Sequence, residues 1–147
     1  MWDGCRGTLR YASVNKHDGW EQSRHDDLEE LCFVAIYLMA GGLPWQVEEA
    51  NTFDGLESNA FQRSRQMKRV RDAKANTPAD MLCRGLPPQI AAMLEYTRGL
   101  DFEQEPDYEW MKAQVQAALD ENGYAMDGNY DWGNKAQPVP KKRFGIF

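Results

Sequence analysis

The segment from Leu28 to Met39, LEELCFVAIYLM, is apolar on nearly every side from Leu31 onward. A helix without a polar face has no stable place on a protein surface, so this run asks for the centre of a larger structure, with other elements surrounding it. Its ends suit a helix. Asp26 and Asp27 precede it, where carboxylates meet the positive end of the helix dipole, and Gly41-Gly42 close it. With 147 residues, 42% hydrophobic and 12% aromatic, the chain has apolar material for one modest core, and this length fits a single domain.

The rest of the chain also reads as helical. A polar stretch from Gln46 to Asn59 predicts a loop, and the basic run from Phe61 to Lys74 predicts an exposed helix. That run is either a solvated helix face or a patch for nuclear import or an anionic polymer. Thr77-Pro78 marks a helix start, with a short turn through Met81 and Leu82 before Gly85 and Pro87-Pro88 break it. Ile90, Met93, Leu94, Thr97 and Leu100 recur at helical spacing. Pro106 is expected to open a last helix with Tyr108, Met111, Val115, Ala118 and Leu119 inward, ended by Gly123. The tail from Tyr124 to Phe147 is rich in Gly, Asn, Pro and Lys, with Trp132 as its one large anchor. The class is mostly α, with no repeat and no convincing strand.

Charge and cysteines narrow the function. A formal net charge of -6 and a pI near 4.9 oppose whole-molecule attraction to nucleic acid or an anionic membrane, so any anion site is local. Cys5, Cys32 and Cys83 form no CxxC pair, which is the usage of a reducing compartment and predicts an intracellular protein, cytoplasmic or nuclear. No stretch resembles a signal peptide or approaches a membrane span. His17 and His25 show no metal-ligand spacing with the cysteines, and no Ser-His-Asp set or carboxylate pair stands out.

Two stretches carry a family likeness: Gly7-Thr8-Leu9-Arg10-Tyr11-Ala12-Ser13-Val14-Asn15 and Glu21-Gln22-Ser23-Arg24-His25-Asp26-Asp27-Leu28. Together they closely resemble the substrate-binding loop and the start of helix F in casein kinase 1-type serine/threonine protein kinases. The likeness continues through Leu43-Pro44-Trp45-Gln46, Thr77-Pro78, Leu82-Cys83-Arg84-Gly85, Arg98-Gly99-Leu100-Asp101-Phe102 and Glu105-Pro106-Asp107-Tyr108. Ser13-Val14-Asn15 before His17, and Tyr130-Asp131-Trp132, look equally like the tau-tubulin kinase branch. The resemblance implies the helical C-terminal lobe of the kinase fold from the substrate-binding loop onward, with helix F as its buried post and no N-lobe. It spans residues 1–132 as a partial lobe, with 133–147 as an extended tail.

Roles follow residue by residue from that resemblance. Thr8 matches a threonine that hydrogen-bonds the catalytic aspartate and lysine. Arg10 matches an arginine that helps bind the phosphate or acidic side chains of primed substrates, a task suited to a planar fork of donors. The lysine that shares this anion pocket is replaced by Gln66, with Arg65 and Lys68 as neighbouring candidates, and a glycine of the family pattern is Val47. Asp27 matches the helix F aspartate that anchors the catalytic-loop backbone. Arg98 matches an arginine that pairs with a glutamate ending the activation segment, although Ser13-Val14-Asn15 stands here in place of Ala-Pro-Glu.

Phosphoryl transfer requires a glycine-rich loop, a strand lysine, a catalytic-loop Asp with its Asn, and an Asp-Phe-Gly aspartate on magnesium. None of these motifs is in the sequence. ATP and magnesium are expected for a complete family member, but no cofactor and no catalytic residue are expected of this chain. Two readings stay open: a partial kinase that carries substrate-side and scaffold elements, or a non-catalytic interaction module derived from such a lobe. Either predicts a protein partner, because a helix F stripped of its neighbours exposes an apolar patch that calls for the rest of the kinase or another protein.

Overall fold

The computed structural model describes residues 9–46 and 60–128, with side chains described from Ser64 onward in the second stretch. Among these residues the architecture is entirely helical, with no strand. Thr8, Cys5, Val47, most of the expected loop between Gln46 and Asn59, and the tail from residue 129 onward, with Trp132, lie outside them.

Helix α1, Val14–Asp18, occupies part of what the sequence suggested was a loop. Ser13 starts it by accepting a hydrogen bond from the Lys16 N–H at 3.1 Å, and Gly19 stops it with a left-handed φ of 76°. Helix α2, Arg24–Ala40, begins earlier than its apolar run because the cap is Ser23. The Asp26 carboxylate accepts from the Ser23 N–H at 2.9 Å, completing a reciprocal capping box. At the other end Gly41 donates to the Tyr37 carbonyl at 2.8 Å.

Helix α2 turns Cys32, Phe33 and Ile36 into the core, with Glu29 on the same side. Its opposite side is bare: Leu31 is 55% and Leu38 74% exposed. The expectation that elements surround this helix is therefore met on one face only among the described residues. Phe33 packs edge-on against Trp45 at 5.1 Å. The Trp45 indole donates to the Arg10 carbonyl at 2.7 Å, tying the start of the described chain to this core.

Helix α3, Ala60–Asn76, corrects the expectation of a purely exposed basic helix. Arg65, Lys68 and Arg69 face solvent, but Val70 and Lys74 are completely buried. The Thr77 hydroxyl does not cap the next helix; it donates back to the Ala73 carbonyl at 2.6 Å. Helix α4, Ala79–Leu82, starts instead from Pro78.

Helix α5, Pro88–Arg98, buries Ile90, Met93, Leu94 and Thr97 as its spacing predicts, and packs against α2. Helix α6, Tyr108–Glu121, is capped by Asp107, whose carboxylate accepts from the Trp110 N–H at 2.8 Å; Pro106 lies buried just before it. Met111 and Ala118 point inward, while Tyr108 and Val115 are 42% and 43% exposed, contrary to the predicted inner face. The reason is geometric. Helix α6 packs chiefly on α5, where Tyr96 meets Trp110 at 4.7 Å, and one neighbouring helix covers only a narrow stripe. Gly123, at φ 71°, ends the turn after α6. No helix among the described residues is long and apolar enough to cross a membrane.

Candidate functional site

The segment Leu9–Val14 forms no helix or strand until its last residue, so its backbone groups need partners from elsewhere. Side chains supply them. The Lys74 ammonium, from the far end of α3, donates to the Leu9 and Ala12 carbonyls at 2.6 Å each. It also lies 3.1 Å from His17 Nε2 and 5.3 Å from the centroids of both Phe33 and Trp45. Those ring faces and carbonyl dipoles let a cation stay buried.

From α2, Glu30 Oε1 accepts from the Ser13 N–H at 3.2 Å and from the Lys16 ammonium at 3.0 Å. Glu29 Oε2 accepts from the Val14 N–H at 3.1 Å. Its other oxygen takes the Arg98 Nε–H at 2.9 Å. The two remaining arms of Arg98 donate to the Thr77 carbonyl at 3.1 Å and the Lys74 carbonyl at 2.9 Å. A planar fork of donors suits this convergence of a carboxylate and two helix-end carbonyls.

Because an ammonium only donates, His17 Nε2 must act as an acceptor toward Lys74. Burial and then the Lys74 charge push the imidazole pKa down from 6.5 to about 4, against opposing effects of a Leu9 backbone hydrogen bond and Asp18, with a last, smaller lowering by Arg71. Arg71 grips Asp18 in a bidentate fork at 2.9 and 2.7 Å, joining α3 to the end of α1. That carboxylate raises the Arg71 pKa further above its ordinary value.

A surface groove of about 400 Å³ runs between this segment and the bare side of α2, with Tyr11, Ala12 and Lys16 on one wall and Asp27, Leu31 and Val34 on the other. Asp27 is exposed in that wall, whereas its neighbour Asp26 is consumed by the capping box. The Arg10 guanidinium lies 5.9 and 5.5 Å from the ring centroids of Tyr11 and Tyr37. The structure thus brings Arg10 and Asp27 to the surroundings of the Leu9–Val14 segment. It leaves Arg65 and Lys68 exposed on α3 and Gln66 half-buried, and Thr8 lies outside the described residues. Lys74, which the sequence hid inside a basic run, is the residue of α3 that enters the core at the segment.

Ser23, His25 and Asp26 approach one another in a way the sequence did not single out. Ser23 Oγ is 2.6 Å from His25 Nδ1, and His25 Nε2 is 3.3 Å from Asp26 Oδ2. The Asn15 amide nitrogen also lies 2.9 Å from Nε2, so the His25 ring bridges α1 and the start of α2.

Cys32 and Cys83 are buried and unpaired. Burial raises their thiol pKa values to about 12 and about 11, which suppresses thiolate chemistry. No group of three or more His, Cys, Asp or Glu side chains converges as a metal site among the described residues. No family model matches the sequence.

Proposed function

We propose that this chain is the substrate-side part of a casein kinase 1-like serine/threonine protein kinase, the helical region that begins at the substrate-binding loop. In this reading Leu9–Val14 is that loop, α2 is helix F, Arg10 contributes to recognising acidic or primed substrate, and Asp27 anchors a catalytic loop that the sequence does not contain. Phosphate transfer from ATP to serine or threonine belongs to the family; this chain contributes scaffold and substrate contacts, and its sequence holds no nucleotide-binding motif.

The observation that carries the reading is the two-faced character of α2. Its core side is filled by Phe33 and Ile36, while Leu31 and Leu38 stay exposed on the other side, in line with Asp27. Spacings of four and seven residues put these three side chains on one stripe of the helix. An aspartate followed by a bare leucine stripe fits a helix that receives a catalytic loop and its supporting helices.

The test is complementation. The full chain is mixed with a separately produced kinase half carrying the glycine-rich loop through Asp-Phe-Gly, and transfer of labelled phosphate to an acidic or phosphate-primed peptide is followed. Transfer by the mixture, but by neither half alone, supports the reading, and substitution Asp27→Asn abolishes it. Saturable ATP-magnesium binding by this chain alone in calorimetry overturns it. A second reading, a non-catalytic interaction module, draws on the same exposed stripe. It predicts a stable complex with a protein partner and no transfer in the mixture.

A further inference from the structure

Buried charge is weak support for stability, because well-packed apolar side chains of the same volume serve as well without the cost of desolvation; its best-attested use is to select one conformation. Lys74 is such a charge, 0% exposed on a helix whose Arg65, Lys68 and Arg69 face solvent. Its donors go to the Leu9 and Ala12 carbonyls, in a segment 62 to 65 residues away in sequence. Glu29 holds the end of the same segment through the Val14 N–H. Arg98 joins the two holds, bonding the Glu29 carboxylate with one arm and the carbonyl of Lys74 with another.

We infer that Lys74, Glu29 and Arg98 form a clamp that fixes the backbone from Leu9 to Val14 in one conformation, and with it the Tyr11–Ala12 wall of the groove. They are positioning residues: their hydrogen bonds reach the backbone at Leu9, Ala12 and Val14 and tie Glu29 to Arg98. The segment lacks a hydrogen-bonding ladder of its own, so loss of the clamp frees it while α5 and α6, which satisfy their own backbone, remain. The inference rests on these contacts and not on the assignment of the segment to substrate binding.

Hydrogen exchange on the full chain tests it. In Lys74→Met, amides between Leu9 and Val14 exchange at least about tenfold faster, while those of Ile90 to Thr97 stay within about twofold of the parent. The His17 imidazole, followed by NMR, moves up from about 4 as the neighbouring charge disappears. Glu29→Gln keeps the side-chain shape, accelerates exchange at Val14 and leaves the His17 titration in place. Where Lys74→Met does not fold, Glu29→Gln carries the comparison. The clamp is refuted if segment exchange is unchanged in the folded variants or if it rises only in step with α5. These readouts use no nucleotide or substrate, so failure of the kinase reading leaves their outcome intact.

Discussion

Glu29 of α2 and Arg98 at the end of α5 meet at 2.9 Å across 69 residues of sequence. The kinase resemblance leads one to expect Arg98 paired with a glutamate at the position of Asn15, and the chain has none there. The carboxylate comes from α2 instead. Its second oxygen holds the N–H of Val14, the middle residue of the substituted tripeptide. The arginine is thus connected to the same stretch of backbone by a different route.

Removing one partner of this pair leaves an uncompensated charge on a side chain that is 8% exposed for Glu29 and 25% for Arg98. Arg98→Leu is expected to cost about 3 kcal/mol in urea unfolding, near the lower end for a buried pair because the arginine is partly solvated. Arg98→Leu with Glu29→Leu is expected to cost less than the two single changes summed. Strict additivity in the double-mutant cycle refutes the pairing.

His17 gives the fold a pH dependence with a definite sign. Its folded pKa of about 4 lies below the ordinary 6.5, so the unfolded chain binds a proton that the folded chain refuses. The stabilising contribution is complete above about pH 6.5 and disappears as pH falls toward 4. After discounting for the ring's partial exposure, about 1 to 2 kcal/mol is expected over that window. His17→Gln should flatten this part of the curve of unfolding midpoint against pH; an unchanged slope shows that other groups cause it.

The thiols of Cys32 and Cys83 should resist iodoacetamide at pH 8 in the folded protein and react in urea, because burial holds them protonated at that pH. Site-resolved mass spectrometry decides this. Rapid native labelling at either site contradicts the burial described.

Leu31 and Leu38 contribute apolar surface without filling the core. The double substitution Leu31→Lys with Leu38→Glu should suppress self-association in sedimentation velocity and shift the unfolding free energy by no more than about 0.5 kcal/mol per site. A collapse of helix content by circular dichroism would mean that these leucines pack inside the monomer.

Ser23→Ala removes one half of the capping box at the start of α2 and should cost about 1 kcal/mol. Replacement by Asp, another good cap, should recover most of it. Equal loss in both variants assigns the effect to some other contact of Ser23.

Local chemistry was readable where a signal and its consequence sit within one or two helical turns. The apolar run and terminal glycine mark α2, the three-to-four spacing of Ile90, Met93, Leu94 and Thr97 marks α5, and Gly123 marks the end beyond α6. The same reasoning overextended the inner face of α6 to Tyr108 and Val115, since periodicity tells which residues share a face but not how widely a neighbour covers it. It also took Lys74 as one more solvated charge. Val70, four residues before Lys74 on the same face, and the flanking Ala73 and Ala75 were the local signs that set it apart from Lys68.

The positions of α2, α5 and α6 and the likeness to a kinase lobe could be read from the sequence, because each depends on residues close together in the chain or on their order, whereas α1 and the caps at Ser23 and Asp107 came from the structure. Tertiary structure alone decided that Lys74 is buried, that Glu29 answers Arg98, and that one side of α2 stays bare. Whether a charge can leave water depends on acceptors converging on it. The carbonyls of Leu9 and Ala12 reach Lys74 only after more than sixty intervening residues have folded back.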